Sequence, residues 1–416
     1  MMFYKETDFK ETPIGKIPKN WKIARAIDVA RYINGYAFSP KDWKTRGVPI
    51  IRIQNLNDPN TEFNYFDGEI GEIYKVENGD LLFSWSASIG VYVWNRGKAV
   101  LNQHIFKVIP GPLVDKLFLY YTLFLAIEQL KRRVHGSTMK HFRRGELRAT
   151  FIPLPSLPEQ QKIAEILSTV DEAIQKTNEI IAKTERLKKG LMQELLTKGI
   201  GHKEFKDTEI GKIPREWEVV RICKLFDLYK GTTPSTKIKE YWDGIIPFVT
   251  PTDVTKVSDS NEIHLKATEN FITEKGLKSK GLKLVPENSL LFTSRATIGY
   301  LAINKVKVAI NQGIISLIPK KDTNADTTFF YYFLQKLRNY FENLAGGSTY
   351  KEISMSTFSN INVPLPSYQE QEKIAKILST VDKKLGLERN EKAKLERIKR
   401  GLMDLLLTGK IRVKVS

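Results

Sequence analysis

The sequence contains two copies of one pattern, and this internal repeat constrains the fold more than any other feature. Residues 9–21 read FKETPIGKIPKNW and residues 205–217 read FKDTEIGKIPREW, with nine of thirteen positions identical. Residues 153–171 read PLPSLPEQQKIAEILSTVD and residues 364–382 read PLPSYQEQEKIAKILSTVD, with fifteen of nineteen identical. A chain of 416 residues with this repeat is expected to fold as two related halves.

Between these matched segments the two copies diverge, so the chain reads as variable, constant, variable and constant segments. Duplication followed by drift is one explanation, although drift alone should erode every segment alike. The near-identical constant segments therefore favour a shared architecture that carries two different binding specificities. We predict an α+β fold with β-rich mixed domains at residues 1–152 and 201–363, and helical spacers at residues 153–200 and 364–416.

The constant segments are predicted to be long helices. Pro158 and Glu159 suit a helix start, because proline is tolerated in the first turn and an acid faces the positive end of the helix dipole. Apolar residues then recur at spacings of three and four, and this stripe includes Ile163, Ile166, Val170, Leu187 and Leu191. A helix that ends near Leu196 would be about 60 Å long.

The second copy repeats the start of this stripe, becomes polar at Lys384, Glu388 and Glu391, and turns apolar again near its end. Its apolar positions are Ile374, Ile377, Val381, Leu395, Ile398 and Leu402. Two separate surface helices are the alternative, but helices this long have little domain beneath them, so we favour a helix pair. If a pseudo-twofold axis relates the copies, the helices form an antiparallel coiled coil, the chain termini lie close together, and the domains occupy opposite ends of a rigid spacer.

Short apolar or alternating runs in the variable domains predict strands, and VPIIRIQNL, DLLFSWSASIGVYVW and HIFKVI are examples from the first domain. Longer apolar runs predict buried helices, namely LFLYYTLFLAIEQLKRR in the first domain and FFYYFLQKLRNYF in the second. The tyrosine pairs at residues 120–121 and 331–332 are expected to lie in the two cores.

Charge and composition narrow the possible partners. Lysine and arginine total 66 against 47 acidic residues, which gives a formal charge of +19 and makes nucleic acid the first candidate and an anionic membrane surface the second. The longest apolar stretch, residues 117–127, is too short to span a bilayer, so no membrane partner is expected. A single cysteine, Cys223, and a charged N-terminus without a signal-peptide pattern predict a reducing, cytoplasmic location.

Familiar catalytic motifs are missing from the sequence, which has no GxxxxGK[ST], no GxGxxG after a strand, no HExxH and no GxSxG. Its five histidines also lack the spacing of metal ligands. We therefore predict no catalytic, cofactor-binding or metal-binding residues.

Residues 131–148 carry seven basic residues and one acid around a Gly-Ser-Thr turn, which favours DNA contact over an ordinary solvated helix end. A second candidate follows a predicted strand, where the polar types of residues 52–55 differ from those of residues 250–253; turn residues at a strand end would look the same. The candidate DNA contacts are Arg52, Gln54, Asn55, Arg132, Arg133, Ser137, Thr138, Lys140, Arg143, Arg144, Thr250, Thr252, Asp253, Lys275, Lys278, Lys280, Arg295, Ser348, Thr349 and Lys351.

Two G-K-I-P-x-x-W motifs, two variable domains and two PLPS-x-x-EQ-x-KIA-x-ILSTVD segments resemble the specificity subunits of type I restriction-modification systems. The resemblance covers essentially the whole chain, and the Glu-Gln pairs at 159–160 and 370–371 are part of it. It implies that each variable domain is a target recognition domain, which reads one half of a split, asymmetric site in double-stranded DNA. The helices would set the gap between the half-sites and dock partner subunits.

The resemblance also implies the partners, which are two DNA methyltransferase subunits and two restriction subunits. These partners would use S-adenosylmethionine, ATP and magnesium, whereas the chain itself would be non-catalytic and hold no cofactor. Glu159, Gln160, Glu370 and Gln371 would belong to the spacer and docking residues, together with the apolar stripes. A stand-alone DNA-binding regulatory protein is the competing class, with charge and duplication as its only basis. A fused enzyme subunit is a third class, for which the sequence supplies no site.

Overall fold

The computed structural model describes residues 3–133, 147, 149–260, 262–345 and 351–415, and the side chains of residues 130–133 lie outside this description. The chain forms two compact units: unit 1 comprises residues 1–176 and 393–416, and unit 2 comprises residues 177–392. Strands and helices follow one another in matching order in both units, which confirms the predicted α+β fold with an internal repeat. Among the described helices, none has the length and hydropathy that crossing a bilayer requires.

Unit 1 consists of short strands around one central helix. Its elements are β1 (Phe3–Lys5), β2 (Phe9–Thr12), β3 (Gly15–Pro18), β4 (Lys22–Arg25), α1 (Ala26–Val29), β5 (Ala30–Asn34), β6 (Val48–Ile51), α2 (Ile53–Asn57), β7 (Asn64–Phe66), β8 (Lys75–Val76), β9 (Leu81–Ser84), β10 (Gly90–Val93), β11 (Ala99–Leu101), β12 (Ile105–Pro110), α3 (Lys116–Arg133), β13 (Phe151–Leu154) and the start of α4 (Leu157–Lys198). Short 3-10 helices lie at Pro40–Asp42 and Glu72–Tyr74.

Two four-stranded sheets form the body of unit 1, in the orders β10-β9-β12-β5 and β7-β6-β11-β8. The first sheet is antiparallel, and the second contains one parallel pair, β6 with β11. Apolar side chains of the first sheet share a core with α3 and with the first turns of α4. The start of this long helix is therefore built into the domain.

Unit 2 repeats this plan. Its elements are β14 (Phe205–Thr208), β15 (Gly211–Pro214), β16 (Glu218–Arg221), α5 (Ile222–Leu225), β17 (Phe226–Lys230), β18 (Trp242–Val249), α6 (Pro251–Asp259), β19 (His264–Leu265), β20 (Phe271–Ile272), α7 (Glu274–Ser279), β21 (Leu290–Thr293), β22 (Leu301–Asn304), β23 (Ala309–Ile310), β24 (Ile314–Pro319), α8 (Thr327–Lys336), α9 (Arg338–Leu344), α10 (Met355–Ser359), β25 (Asn362–Leu365) and most of α11 (Tyr368–Leu407). A 3-10 helix lies at Lys239–Tyr241. Strand β26 (Ile411–Val413) returns to unit 1.

The sheets of unit 2 have the orders β17-β24-β21-β22-β19 and β20-β18-β23, and β18 with β23 is again a parallel pair. The register of matched strands is preserved, because Leu81 pairs with Val108 in unit 1 and Leu290 pairs with Leu317 in unit 2. The two variable segments have therefore kept one architecture.

The two long helices contain 42 and 40 residues, as the repeat predicts. In unit 2 they run antiparallel, since Lys188 lies 2.7 Å from Asp382 and Glu185 lies 2.6 Å from Arg389. From Glu185 to Lys188 the residue number increases along α4, while that of the α11 partner decreases from Arg389 to Asp382. Each helix divides between the units near its middle, at residues 176–177 and 392–393, and the division into four segments stays a prediction.

The two chain ends meet in unit 1, as the sequence predicts. Strand β1 pairs antiparallel with β26, and Phe3 lies opposite Val413. Strand β26 begins shortly after the last residue of α11, and β1 pairs with it, so both chain termini lie at the C-terminal end of α11.

The predicted apolar stripe is correct at one heptad position and wrong at the other. At the first position Ile163 is buried, and Val170 and Leu191 are half-buried. The second seam position is one residue later than predicted. It is occupied by Leu167 and, three heptads on, by Lys188, whereas the predicted Leu187 has 55% of its surface exposed. A hydrophobic pattern does not identify this position, because it includes the charged residue Lys188. The ion pair with Asp382 allows Lys188 to occupy the seam.

Two element predictions in the variable domains need correction. The strand predicted over VPIIRIQNL ends at Ile51, and α2 follows it. The single helix predicted over FFYYFLQKLRNYF is broken at Leu337, which separates α8 from α9. The buried helix of unit 1 is confirmed as α3, and Tyr121, Tyr331 and Tyr332 are buried as predicted while Tyr120 is half-buried.

Candidate nucleic-acid interface

A strained loop occupies the same place in both units. The loop after β9 contains Ala87 at φ 55°, and the loop after β21 contains Ala296 at φ 63°. Residues with a Cβ rarely adopt this left-handed conformation, and strained backbone of this kind clusters at functional sites. The last strand residue closes each loop, because the hydroxyl of Ser84 donates to the carbonyl of Ser88 and Thr293 bonds its counterpart in the same way. We therefore define residues 85–89 and 294–298 as the matched loops.

In unit 1 the matched loop carries an aromatic cluster. The indole of Trp85 lies 5.3 Å from the imidazole of His104, measured between ring centroids. The indole N–H donates to Asn34 at 3.2 Å, and the backbone N–H of Trp85 donates to the carbonyl of His104 at 3.3 Å. These contacts hold a half-exposed ring in one orientation, which suits it for stacking on a base.

In unit 2 the same positions are small. Ser294 takes the place of Trp85, and its backbone N–H donates to the carbonyl of Gly313 at 2.8 Å, so Gly313 takes the place of His104. Arg295, a predicted DNA contact, lies in this loop and forms an isolated backbone bridge with Glu352. The two units thus present different chemistry on one backbone frame.

Trp85, His104 and Asn34 are not among the DNA contacts predicted from the sequence. The available signal was the alignment of LLFSWSASIG with LLFTSRATIG, in which a tryptophan faces a serine inside an otherwise similar segment. A change of size and polarity at one matched position marks a residue that the fold does not require.

The residues predicted after the strand of unit 1 divide into two groups. Asn55 is 1% exposed; its Oδ1 accepts the backbone N–H of Arg52 at 3.0 Å, and its amide donates to two backbone carbonyls. A contact from Asn55 to a base would require these bonds to open. Gln54 is exposed on the other side of the same turn.

Arg52 is held in position by two neighbours. Its guanidinium carbon lies 4.6 Å from the ring centroid of Trp43, and its Nη1 donates to Asn64 at 2.8 Å. Most of its five donors stay available for a phosphate or a guanine edge. Among the predicted contacts of unit 1 whose side chains the structure describes, Arg52 is the one best positioned to meet DNA.

The matched turn in unit 2 has the same construction. Asp253 is 7% exposed and accepts the backbone N–H and the hydroxyl of Thr250, at 2.8 and 2.6 Å. This arrangement caps α6 and accounts for both residues. Thr252 is exposed, in the place of Gln54.

The predicted lysine cluster of unit 2 lies on and after α7. Lys275 pairs with Glu240 at 2.7 Å, while Lys278 and Lys280 are exposed. Lys351 is also exposed. Other predicted contacts lie outside the described residues: the side chains of Arg132 and Arg133 at the end of α3, and Ser137, Thr138, Lys140, Arg143, Arg144, Ser348 and Thr349.

The predicted spacer residues Glu159 and Gln160 anchor the start of α4 inside unit 1. Glu159 accepts the indole N–H of Trp21 at 3.1 Å and two N–H groups of Arg412 at 2.5 and 2.9 Å. Gln160 is fully buried and accepts the backbone N–H of Asp115 at 2.9 Å. Their burial assigns these side chains to holding the helix and not to a docking surface.

Unit 2 repeats this anchor with one change. Glu370 accepts the indole N–H of Trp217 at 3.0 Å, and His202, in the place of the arginine, lies 2.9 Å from it. Gln371 is fully buried and accepts the backbone N–H of Asp326 at 2.9 Å. The Glu-Gln pair of the repeat therefore locks each helix start to its own domain.

The remaining spacer predictions fall into buried and surface positions. Buried or half-buried positions are Ile163, Ile166, Val170, Leu191, Ile374, Val381, Leu395 and Leu402. Leu187, Ile377 and Ile398 are exposed at 55%, 37% and 42%, so these three do not belong to the seam. In the described part of the chain, no group of His, Cys, Asp and Glu side chains is arranged to hold a metal ion.

Comparison with known proteins defines the class. A family model described as the type I restriction modification DNA specificity domain matches residues 18–186 and 214–397, well over half of the chain. The type I restriction enzyme MjaVIII specificity subunit of Methanocaldococcus jannaschii is 31% identical over 100% of this chain and 98% of that protein. The EcoBI specificity subunit of Escherichia coli is 26% identical over 86% of this chain and 79% of that protein.

A solved structure supports the fold. The S subunit of a type I restriction-modification system from M. genitalium superposes with a TM-score of 0.61 at 17% identity, over 95% of this chain and 97% of that one. This chain belongs to the family of type I restriction-modification DNA specificity subunits. It is a DNA sequence-recognition subunit, a class that is non-catalytic in general.

Proposed function

We propose that the chain directs a type I restriction-modification complex to a bipartite, asymmetric DNA sequence, and that each unit reads one half-site. The matched loops carry this proposal, because Trp85 and His104 in unit 1 correspond to Ser294 and Gly313 in unit 2. Two readers with one backbone and different side chains suit two unlike half-sites. The net charge of +19 supplies the attraction to phosphates.

The long helices would fix the gap between the half-sites. Their ends are locked by Glu159 and Glu370, and the ion pair of Lys188 with Asp382 fixes their register in unit 2. A locked helix pair resists sliding, so it can hold two readers at a constant phase along the DNA.

We further propose that two methyltransferase subunits dock on the helices and that restriction subunits complete the complex. S-adenosylmethionine, ATP and magnesium would bind to these partners in the cytoplasm. Support comes from uneven divergence: residues 172–181 and 383–392 share no identical position, whereas residues 182–192 and 393–403 share eight of eleven. Burial alone cannot preserve the second stretch, since several of its preserved residues face solvent.

The preserved surface lies on one face of each helix. We call it the helix patch; at about 100° per residue its four members span about 100° of the helix surface. It consists of Lys183, Arg186, Leu187 and Gly190 on α4, and of Lys394, Arg397, Ile398 and Gly401 on α11.

The helix patch has the properties of a protein interface. A Cβ on Gly190 or Gly401 would meet nothing within 4 Å, although glycine inside a helix costs up to about 1 kcal/mol relative to alanine. Absence of a side chain allows a second backbone to approach closely. Arg186 and Arg397 make no ion pair or hydrogen bond with any described residue, so their guanidinium groups can meet carboxylates of a partner. One patch per helix fits two copies of the same subunit.

Methylation sequencing tests this function. The chain is expressed with a cognate methyltransferase, and methylated adenines are mapped by single-molecule sequencing, with residues 208–362 native or replaced by the matching domain of a relative. We expect a split motif methylated on both strands, of which the replacement changes one half only. A change in both halves would contradict the assignment of one half-site to each unit. A folded chain that binds DNA but neither co-purifies with the methyltransferase nor directs methylation would instead favour a stand-alone DNA-binding regulator.

A further inference from the structure

A cavity in unit 2 has a nearly closed counterpart in unit 1. The cavity has a volume of about 460 Å³ and lies between the β14–β15 hairpin, α8, α9 and the end of α4. The matching elements of unit 1, which are the β2–β3 hairpin, α3 and the end of α11, enclose about 40 Å³. Since unit 1 folds without this space, the fold itself does not require the cavity.

The central helix follows a different path at the two cavities. In unit 2 the central helix stops at Lys336 and restarts at Arg338, and this break falls at the cavity wall. In unit 1, α3 continues through the matching positions up to Arg133. The wall residues also differ, because Lys336 and Tyr340 take the places of Leu125 and Gln129.

Lys336 is the unusual residue of this cavity. Its neighbours on the wall are mostly apolar, and it forms no ion pair or hydrogen bond with any residue that the structure describes. Burial lowers the pKa of its ammonium group from the ordinary value. Glu209 also lines the cavity but accepts a hydrogen bond from Asn362 at 2.8 Å and does not pair with Lys336.

An ammonium in an apolar cavity lacks the counter-charge that would stabilise it. An anion with an apolar neighbour would complement this environment, and the opening offers Tyr340, which is 50% exposed and of a type enriched in binding hot spots. The same cavity floor includes Leu196 at the end of α4, so an occupant here would touch the spacer as well as the domain.

We propose that this cavity receives an apolar side chain and an adjacent carboxylate from a partner polypeptide, and that Lys336 pairs with the carboxylate. The site is present in unit 2, so it binds one copy of its partner for each chain. It differs in this respect from the helix patch, which occurs twice. We look for this partner among the subunits of the restriction-modification complex, which rests on the proposed function.

Residue-resolved lysine acetylation tests the proposal in the assembled complex. The chain alone, with methyltransferase subunits, and with methyltransferase and restriction subunits is treated with acetic anhydride, and Lys336 is compared with the exposed Lys278 by mass spectrometry. We expect at least fivefold protection of Lys336 on assembly. A carbodiimide cross-link from Lys336 to a partner Asp or Glu with an apolar neighbour would identify the occupant, and it should disappear in the Lys336→Leu variant.

The Lys336→Leu variant copies Leu125 of unit 1, and Lys336→Gln serves as a second, polar replacement. Equal labelling of Lys336 in every assembly, without a cross-link, would overturn the proposal. Protection by free octanoate without protection by any subunit would also overturn it, since the site would then serve a small amphiphilic carboxylate. Methylation sequencing of the same preparations reports DNA recognition separately, so failure of this proposal is distinguishable from failure of the proposed function.

Discussion

The hydroxyl of Tyr332 donates a 2.7 Å hydrogen bond to the carboxylate of Asp382, the last residue of the repeated STVD motif on α11. Lys188 of α4 lies 2.7 Å from the other carboxylate oxygen and 5.7 Å from the centroid of the Tyr332 ring. One aspartate thus joins the domain to both long helices. Burial and the neighbouring Asp382 raise the pKa of Tyr332 above its ordinary value, so its hydroxyl stays a donor.

Unit 1 contains the same arrangement with the helices exchanged. Tyr121 donates to Asp171 of α4 at 2.8 Å, and Lys399 of α11 lies 2.6 Å from that carboxylate. The tyrosine, aspartate and lysine therefore recur as a set, each at the matching place in the repeat. A set that uses both helices explains why the STVD motif and the lysine were preserved together.

We expect the Tyr332→Phe substitution to lower the free energy of unfolding by about 1.5–3 kcal/mol, the usual contribution of a hydrogen bond to a charged group. The Asp382→Ala substitution should cost about 3–5 kcal/mol, because Lys188 would remain buried without its partner. Urea unfolding measures both values. Tyr331→Phe is the matched control, because it removes a buried hydroxyl that does not bond Asp382, and a loss as large as that of Tyr332→Phe would show that the bond to Asp382 is not the cause.

Lengthening both helices should change the DNA gap. We expect four residues inserted after Thr177 of α4 and after Glu388 of α11 to lengthen the spacer by about 6 Å, or nearly two base pairs. Both insertions lie in the stretch without repeat identity, and lengthening both helices keeps the register of Lys188 with Asp382. Methylation sequencing should report a longer gap with both half-sites unchanged. An unchanged gap would contradict the spacer function.

The fold was predictable from the sequence because the repeat marks its constant parts. The α+β class, the two long helices and the meeting of the termini all follow from the matched segments. The seam was only half predictable, because Lys188 and Lys399 occupy seam positions that a hydrophobic pattern assigns to the surface. Long-range ion pairs leave no trace in local periodicity.

The candidate site was less predictable, for a physical reason. Asn55 and Asp253 have side chains of types that can hydrogen-bond to bases. In the structure, both side chains instead accept backbone N–H groups at the starts of α2 and α6. Trp85 and His104 belong to two separate tracts that are each predicted as a strand, and only the fold brings them together. Sequence patterns identify residue types, whereas exposure and partners are set by tertiary contacts.

Arg52 and Asn55 should respond differently to substitution. We expect Arg52→Ala to reduce discrimination against the wrong base by about 1–3 kcal/mol at one base pair of the half-site read by unit 1. Specificity for the other half-site should stay unchanged. Asn55→Ala should instead destabilise unit 1 by about 1–2 kcal/mol, since it leaves buried backbone groups without partners. Binding to randomised DNA measures the first effect, and urea unfolding measures the second. Equal relaxation of both half-sites by Arg52→Ala would contradict its assignment.

Acid should destabilise unit 2 through His264. Burial first, and then the nearby Lys305 and Lys266, lower the pKa of this imidazole below its ordinary value of 6.5. The unfolded chain therefore binds a proton more readily than the folded one. The resulting stabilisation is complete above the unfolded pKa and is lost as the pH falls through the folded pKa.

This expectation is measured as the difference in unfolding free energy between pH 7.5 and pH 5.5. The native chain should lose more stability over this interval than the His264→Gln variant, which cannot gain a proton there. Carboxylates titrate equally in both proteins and cancel in the comparison. Identical losses would show that His264 titrates in the same range in both states.

Gly190 and Gly386 provide the sharpest test of the helix patch, because the repeat preserves the first glycine and not the second. Both lie inside a long helix, and a Cβ added to either glycine would meet no atom within 4 Å. Gly190 is matched by Gly401 in the other copy, whereas Gly386 is matched by Gln175. Glutamine at either site should raise helix stability by roughly 0.5 kcal/mol.

Binding should separate the two substitutions. We expect Gly190→Gln to reduce the number of bound methyltransferase subunits from two to one in native mass spectrometry, because its side chain would fill the space that a partner backbone needs. Gly401→Gln should have the same effect through the other patch, and Gly386→Gln should leave both subunits bound. If Gly190→Gln and Gly386→Gln gave the same stoichiometry, the helix patch would not be the docking surface, and its preservation would need a cause within the chain.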